Sequence, residues 1–160
     1  MANIRVGSGY DIHQLKPNLP FLLGGVSIKH NKGILAHSDG DIVFHALSDA
    51  ILGAAALGDI GCYFPDTDPE NKNINSREIL VSVLEKLANM SYQIGNVDIT
   101  IVLERPKLQP IIADIKSSVA NSLNTPLTNV NIKATTSEGM GFIGKKKGVA
   151  CYATVLIEKM

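Results

Sequence analysis

The spacing of apolar residues changes period several times along the chain, and each change marks an element. Val43, Leu47, Ala50, Ala54 and Leu57 recur at helical spacing and predict a helix with one core-facing stripe. Ser38 reads as its N-cap, answered by Asp41 three residues on as in a capping box, and Gly58 reads as its stop. A second helix opens at Asn75 or Ser76 and carries Ile79, Leu80, Val83, Leu84 and Leu87 on one face. A third, after Pro106 and Pro110, carries Ile111, Ile112, Ile115, Val119 and Leu123. Elsewhere the period is two. Val97, Ile99, Ile101 and Leu103 alternate with Asp98, Thr100 and Val102, and Val130, Ile132 and Ala134 alternate with Asn131, Lys133 and Thr135, which predicts two half-buried strands. Val149 to Ile157 is apolar at both parities, so this strand is expected to be buried on both faces. Ile4 to Gly9 reads as a short strand, Phe21 to Leu23 and Val26 to Ile28 as a hairpin turned on Gly24 and Gly25, and Asn31 to Gly33 as a loop.

Strand, helix and strand in succession imply a right-handed crossover and a parallel pair. The elements sum to one α+β domain over residues 1–160: a mixed four-stranded sheet with three helices on one face and a small β-hairpin. The opposite face is partly apolar and no further helix remains to cover it, so self-association is expected.

Composition narrows the setting. Fifteen basic and fifteen acidic side chains leave a formal charge of zero, so no overall field favours nucleic acid or an anionic membrane, and phosphate affinity has to be local. Cys62 and Cys151 stand in no metal-binding spacing and read as packing residues in a reducing compartment. No signal-peptide core and no membrane-length apolar run is visible, and the expected location is the cytoplasm.

Candidate chemistry begins on the first helix. From Ala36 to Asp68 the chain holds two of its four histidines and a series of aspartates with no lysine or arginine among them. Asp41, His45 and Asp49 fall at i, i+4 and i+8, along one helix face. Alone, His45 reads as a histidine at the core edge rather than a ligand. Upstream, Asp11 and His13 point the same way from an extended segment, a pairing that is equally at home in a surface turn. Together the three supply one oxygen and two nitrogens, the donor set of a catalytic zinc site with its fourth position open. Manganese or iron would tolerate the same set. Asp41 or Asp49 is expected to hold the free ring nitrogen of His45. Thr135, Thr136 and Ser137, followed by glycines and Lys145 to Lys147, suit phosphate oxygens, and equally a solvated basic tip. His37 precedes a helix N-terminus, where anions bind. The loop from Asp59 to Asn75 is long enough to be functional rather than a mere connection.

The strings SGYDIH, LLGGVSI, GILAHSDGDIVFHALSDAILGAAALGDIGCYFPDTD and KATTSEGMGFIG resemble the 2-C-methyl-D-erythritol 2,4-cyclodiphosphate synthases of the methylerythritol phosphate route to isoprenoids, over nearly the whole chain. The resemblance implies a ferredoxin-like fold and a homotrimer whose sheets face its centre, with active sites between subunits. It implies Zn2+ on Asp11, His13 and His45, and Mg2+ or Mn2+ on the substrate diphosphate. The implied substrate is 4-diphosphocytidyl-2-C-methyl-D-erythritol 2-phosphate, whose 2-phosphate attacks the β-phosphorus and expels CMP. His37 and Thr136 would be catalytic, stabilising the transition state, with Ser38 beside His37. Substrate contacts would also come from Asp11, Ile12 and His13. Asp59, Ile60 and Gly61, with Phe64, Pro65, Asp66, Thr67 and Asp68, would enclose the ribose and methylerythritol. The cytosine would lie against Leu103, Glu104, Arg105, Pro106, Lys107, Leu108 and Gln109. Thr135, Thr136, Ser137 and Glu138 would hold the phosphates, with Phe142 and Lys145 nearby. Lys145 and Lys147 stand where relatives carry arginine and an acid. The competing functions are a metal-dependent diphosphate hydrolase and a zinc-stabilised nucleotide-binding module without turnover.

Overall fold

Five strands build the main sheet, in the order β4-β1-β7-β5-β6, in a computed structural model that describes residues 3–160. The strands are β1 (Ile4–Pro17), β2 (Leu22–Leu23), β3 (Val26–Ser27), β4 (Lys32–Leu35), β5 (Tyr92–Val102), β6 (Val130–Thr135) and β7 (Gly148–Lys159). The helices are α1 (Ile42–Ala55), α2 (Ser76–Asn89), α3 (Ile112–Leu123) and a single turn, α4 (Gly141–Gly144). β5 and β6 pair in parallel across α3, as the crossover rule requires, and the other pairings in the sheet are antiparallel. β2 and β3 form the expected hairpin, with Gly24 and Gly25 at positive φ.

The sheet has five strands rather than four. Asn31 to Gly33 leads into the edge strand β4 instead of a loop, because Gly33 slips against the backbone of Leu19 and Pro20, where an added Cβ would stand 1.9 Å from the Leu19 carbonyl oxygen. Four residues are too few to show a period. β1 runs on to Pro17 rather than ending at Gly9, so the glycines lie inside the strand.

Those glycines bring α1 close. A Cβ on Gly7 would stand 1.9 Å from the Ala50 carbonyl oxygen, and one on Gly9 1.9 Å from that of Ala46. Bare backbone there lets helix and strand touch. The helix is consequently buried nearly all round rather than along one stripe. Its N-cap is Asp41, not Ser38: Asp41 accepts from the Val43 and Phe44 amides. It ends on Ala56 in the left-handed conformation, ahead of Gly58.

One parity of β7 (Val149, Cys151, Ala153, Val155, Ile157) is buried beneath the helices. The other parity is buried only at its start, at Gly148 and Ala150, against the expectation of two buried faces: Tyr152 is 52% exposed, and Ile4, Val6 and Tyr10 lie exposed on the same side of the sheet. Cys151 packs in the core as expected, whereas Cys62 is exposed. Among the described residues, no helix is long and apolar enough to cross a membrane.

Candidate active site

Gly7, Gly9, Asp11 and His13 occupy one parity of β1, the side turned towards α1. The glycines lie under the body of the helix. Asp11 and His13 continue the row to its N-terminal turn, where His45 projects back. Asp11 Oδ2 is 3.0 Å from His45 Nδ1 and 3.0 Å from His13 Nε2. The three ligand atoms lie within 4.8 Å of one another.

His13 Nε2 is buried, and although it lies 3.0 Å from Asp11 Oδ2 it makes no well-directed hydrogen bond among the described residues. A buried imidazole nitrogen left unpaired beside a carboxylate shared with a second imidazole is the arrangement that a divalent cation resolves, and one oxygen with two nitrogens suits zinc. The charges agree. Burial alone would raise the Asp11 carboxyl, but the His13 and His45 rings beside it outweigh that and bring the pKa to about 2. For His45, burial disfavours the charged ring, and the Asp11 hydrogen bond with the charges of Asp11, Asp41 and Asp39 carries its pKa above the ordinary value.

Neither Asp41 nor Asp49 holds the second nitrogen of His45. Asp41, 1% exposed, is committed to the backbone amides of Gly24 and Gly25 as well as to the helix cap, and so fastens the hairpin to α1. Asp49 accepts from the Ile60 amide at 2.8 Å and tethers the acidic loop; burial, ahead of the nearby charges of Asp59 and Asp11, pushes its carboxyl up. His45 Nε2 instead meets Ser76 Oγ at 2.8 Å, with Ser38 Oγ at 3.3 Å. Ser76 escaped the sequence reading as anything beyond a possible cap. Its only signal was a serine at the start of a helix, and its partner lies 31 residues earlier.

His37 and Ser38 line the same cleft of about 220 Å³, with Ile60, Gly61, Phe64 and Asp66 from the acidic loop forming its other wall. Of that loop, Asp59 accepts from the Cys62 amide and Asp68 from the Glu70 amide, each capping a short 3-10 turn. Asn73 donates to the His37 carbonyl at 2.9 Å, so the far end of the loop is anchored beside the cleft. Pro65, Thr67 and Asp68 lie outside the cleft lining.

A second cleft, of about 270 Å³, is lined by the whole stretch Leu103 to Gln109 with Thr135 and Thr136. The Leu103 amide donates to the Thr135 carbonyl at 2.9 Å, and the Ser137 amide approaches Glu104 Oε2 at 3.4 Å. Glu138, at φ 53°, turns the chain away. Phe142 sits over Gly148 and beside Ile12 and Lys147 in a third hollow, while Lys145 projects into solvent. Within one chain the first two clefts do not meet. β7 and β5 separate β1 from β6, so Thr135 stands about 14 Å from the His13 backbone at ordinary strand spacing.

Residues 4–158 match the YgbB family, and the chain belongs to it. A relative from Enterococcus faecalis, 52% identical over 156 residues covering 98% of this chain and 99% of its own length, is named 2-C-methyl-D-erythritol 2,4-cyclodiphosphate synthase. Among solved structures, the bifunctional IspDF of Campylobacter jejuni superposes with a TM-score of 0.94 at 43% identity, over 98% of this chain and 42% of that longer one. The CDP complex of IspF from Plasmodium falciparum superposes with a TM-score of 0.87 at 37% identity, over 99% of both chains.

Proposed function

We propose that the chain is a metal-dependent cyclodiphosphate synthase that converts 4-diphosphocytidyl-2-C-methyl-D-erythritol 2-phosphate to 2-C-methyl-D-erythritol 2,4-cyclodiphosphate with release of CMP, a phosphorus–oxygen lyase reaction in the cytoplasm. The observation that carries this reading is the convergence of Asp11, His13 and His45 in a cleft with His37 and Ser38, in a chain half identical to proteins of that name.

Phosphoryl transfer needs position and charge neutralisation more than a protein nucleophile. Asp11, His13 and His45 would hold a zinc ion, which would supply Lewis acidity towards a phosphate oxygen, and the diphosphate would bring Mg2+ or Mn2+ with it. His37, exposed at the cleft mouth, and Ser38 donate to phosphate oxygens as charge builds up. Phe64 and Asp66 close over the sugar and hold water away from the phosphorus. The stretch Leu103 to Gln109 receives cytosine, for which the CDP complex of the Plasmodium falciparum relative is the support. Thr136 completes the phosphate site.

A homotrimer reconciles the two separate clefts. Exposed Ile4, Val6, Tyr10 and Tyr152 give each sheet an apolar face to bury, and subunits meeting there bring Thr136 of one copy to the metal cleft of another. Incubation with the substrate and Mg2+ is expected to yield CMP and the cyclic diphosphate, and to stop when a chelator strips the protein. Linear phosphates as the only products would refute the reading.

A further inference from the structure

The hydrogen bonds behind His45 fix more than its position. Asp39 Oδ1 accepts from the Asp41 amide at 3.1 Å, and Asp39 Oδ2 accepts from the Ser76 amide at 3.1 Å. The Ser76 hydroxyl also reaches Asp39 Oδ1 in a short contact. A carboxylate offers acceptors only, so the proton in that contact is the single hydroxyl proton of Ser76. Ser76 then has only lone pairs left for His45 Nε2, 2.8 Å away. The Nε2 nitrogen must carry the hydrogen. Ser38 Oγ, which already accepts from the Gly40 amide at 3.1 Å, is the more distant acceptor of the same N–H at 3.3 Å.

A neutral imidazole protonated on Nε2 is bare on Nδ1, and Nδ1 is the atom that faces Asp11 Oδ2 at 3.0 Å. Two lone pairs at that separation repel unless a proton, as in the metal-free protein, or a metal ion lies between them. We propose that Asp39 and Ser76 are positioning residues, a relay that holds His45 in its Nε2–H tautomer and so presents Nδ1 as the metal-binding atom. The relay rests on the reading of Asp11, His13 and His45 as a metal site. Its placement is economical: Ser76 is fully buried at the first position of α2, the helix that otherwise serves as scaffold, so the packing of α2 against α1 is also what orients the ligand.

The test uses the full chain loaded with zinc. Competition with a chromophoric chelator is expected to show zinc held roughly 10- to 100-fold more weakly by Ser76→Ala, the usual loss when a ligand histidine forfeits its outer partner. Ser76→Thr, which keeps the hydroxyl, is expected to recover most of that loss. Nitrogen NMR of the wild-type imidazoles is expected to show His45 protonated on Nε2 and zinc-bound through Nδ1, a result that does not depend on any variant folding. Zinc bound through Nε2, or Ser76→Ala binding zinc as tightly as wild type, would overturn the relay while leaving the metal site standing. Wild-type protein that takes up no zinc would overturn the metal site and the relay with it.

Discussion

Gly9→Ala puts the link between packing and chemistry to the test. The added methyl would stand 1.9 Å from the Ala46 carbonyl oxygen, 2.8 Å from the Ala50 nitrogen and 2.9 Å from the Ala46 carbonyl carbon, all backbone atoms that no rotamer change can move aside. β1 and α1 must therefore part by at least about 1 Å, and overpacking of this kind costs about 1–3 kcal/mol of stability. The same displacement separates Asp11 and His13, two and four residues along the strand, from His45, one residue before Ala46 on the helix. Metal–ligand distances tolerate about 0.2 Å, and a misplacement of about 1 Å costs about a hundredfold in rate. Urea unfolding, zinc competition and turnover measured on one preparation should show a folded protein with modestly lower stability and at least tenfold weaker zinc binding. Gly53→Ala is the control: its Cβ meets nothing nearer than the Ser8 carbonyl oxygen at 3.9 Å. There the substitution should leave zinc binding unchanged and stabilise the helix by about 0.5–1 kcal/mol. A folded Gly9→Ala protein with wild-type zinc affinity would refute the claim that helix–strand contact sets the ligand geometry.

Three further outcomes follow from the same structure. In chelator-treated protein, Asp11 titrates at about 2 rather than 3.8, so its contribution to stability is present above the higher value and is lost as pH falls towards the lower. That is about 2 kcal/mol. Asp11→Asn should flatten the acid limb of the stability profile, and an unchanged limb contradicts the ion pair. His45, with its pKa raised, is the other member of that interaction: its contribution is complete below the ordinary histidine range and fades as pH rises through the folded value, so metal-free protein should also lose stability on the alkaline side. Tyr152→Glu places a charge on the exposed sheet face, where the native Tyr10 and Tyr152 rings lie 4.8 Å apart, and should break up the proposed trimer in sedimentation; an oligomer that survives it would move the interface elsewhere.

The parts of the fold with a long, regular period were legible in the sequence: α2, α3, β5, β6 and the crossover joining them came directly from spacing. What escaped depends on contacts between distant residues. β4 is an edge strand of four residues, paired with β1 and packed against Leu19 and Pro20, and nothing local distinguishes it from a loop. The cap of α1 fell to Asp41 rather than Ser38 because the hairpin amides of Gly24 and Gly25 recruit the same carboxylate. Asp11, His13 and His45 could be assembled because donor chemistry is rare enough to be matched across the chain. Ser76 could not, since a serine at a helix start is ordinary until the structure sets it against a histidine. The outer face of β7 read as buried because apolar residues fill it, and the single chain leaves it open; the proposed trimer would cover it.

Central to the account is ring closure by the substrate's own phosphate in a site that holds water away. Turnover in water labelled with heavy oxygen, followed by mass spectrometry of the products, tests it directly. Ring closure by the substrate's own phosphate leaves both the cyclic diphosphate and CMP unlabelled; label in a linear product, with no cyclic diphosphate formed, would contradict it.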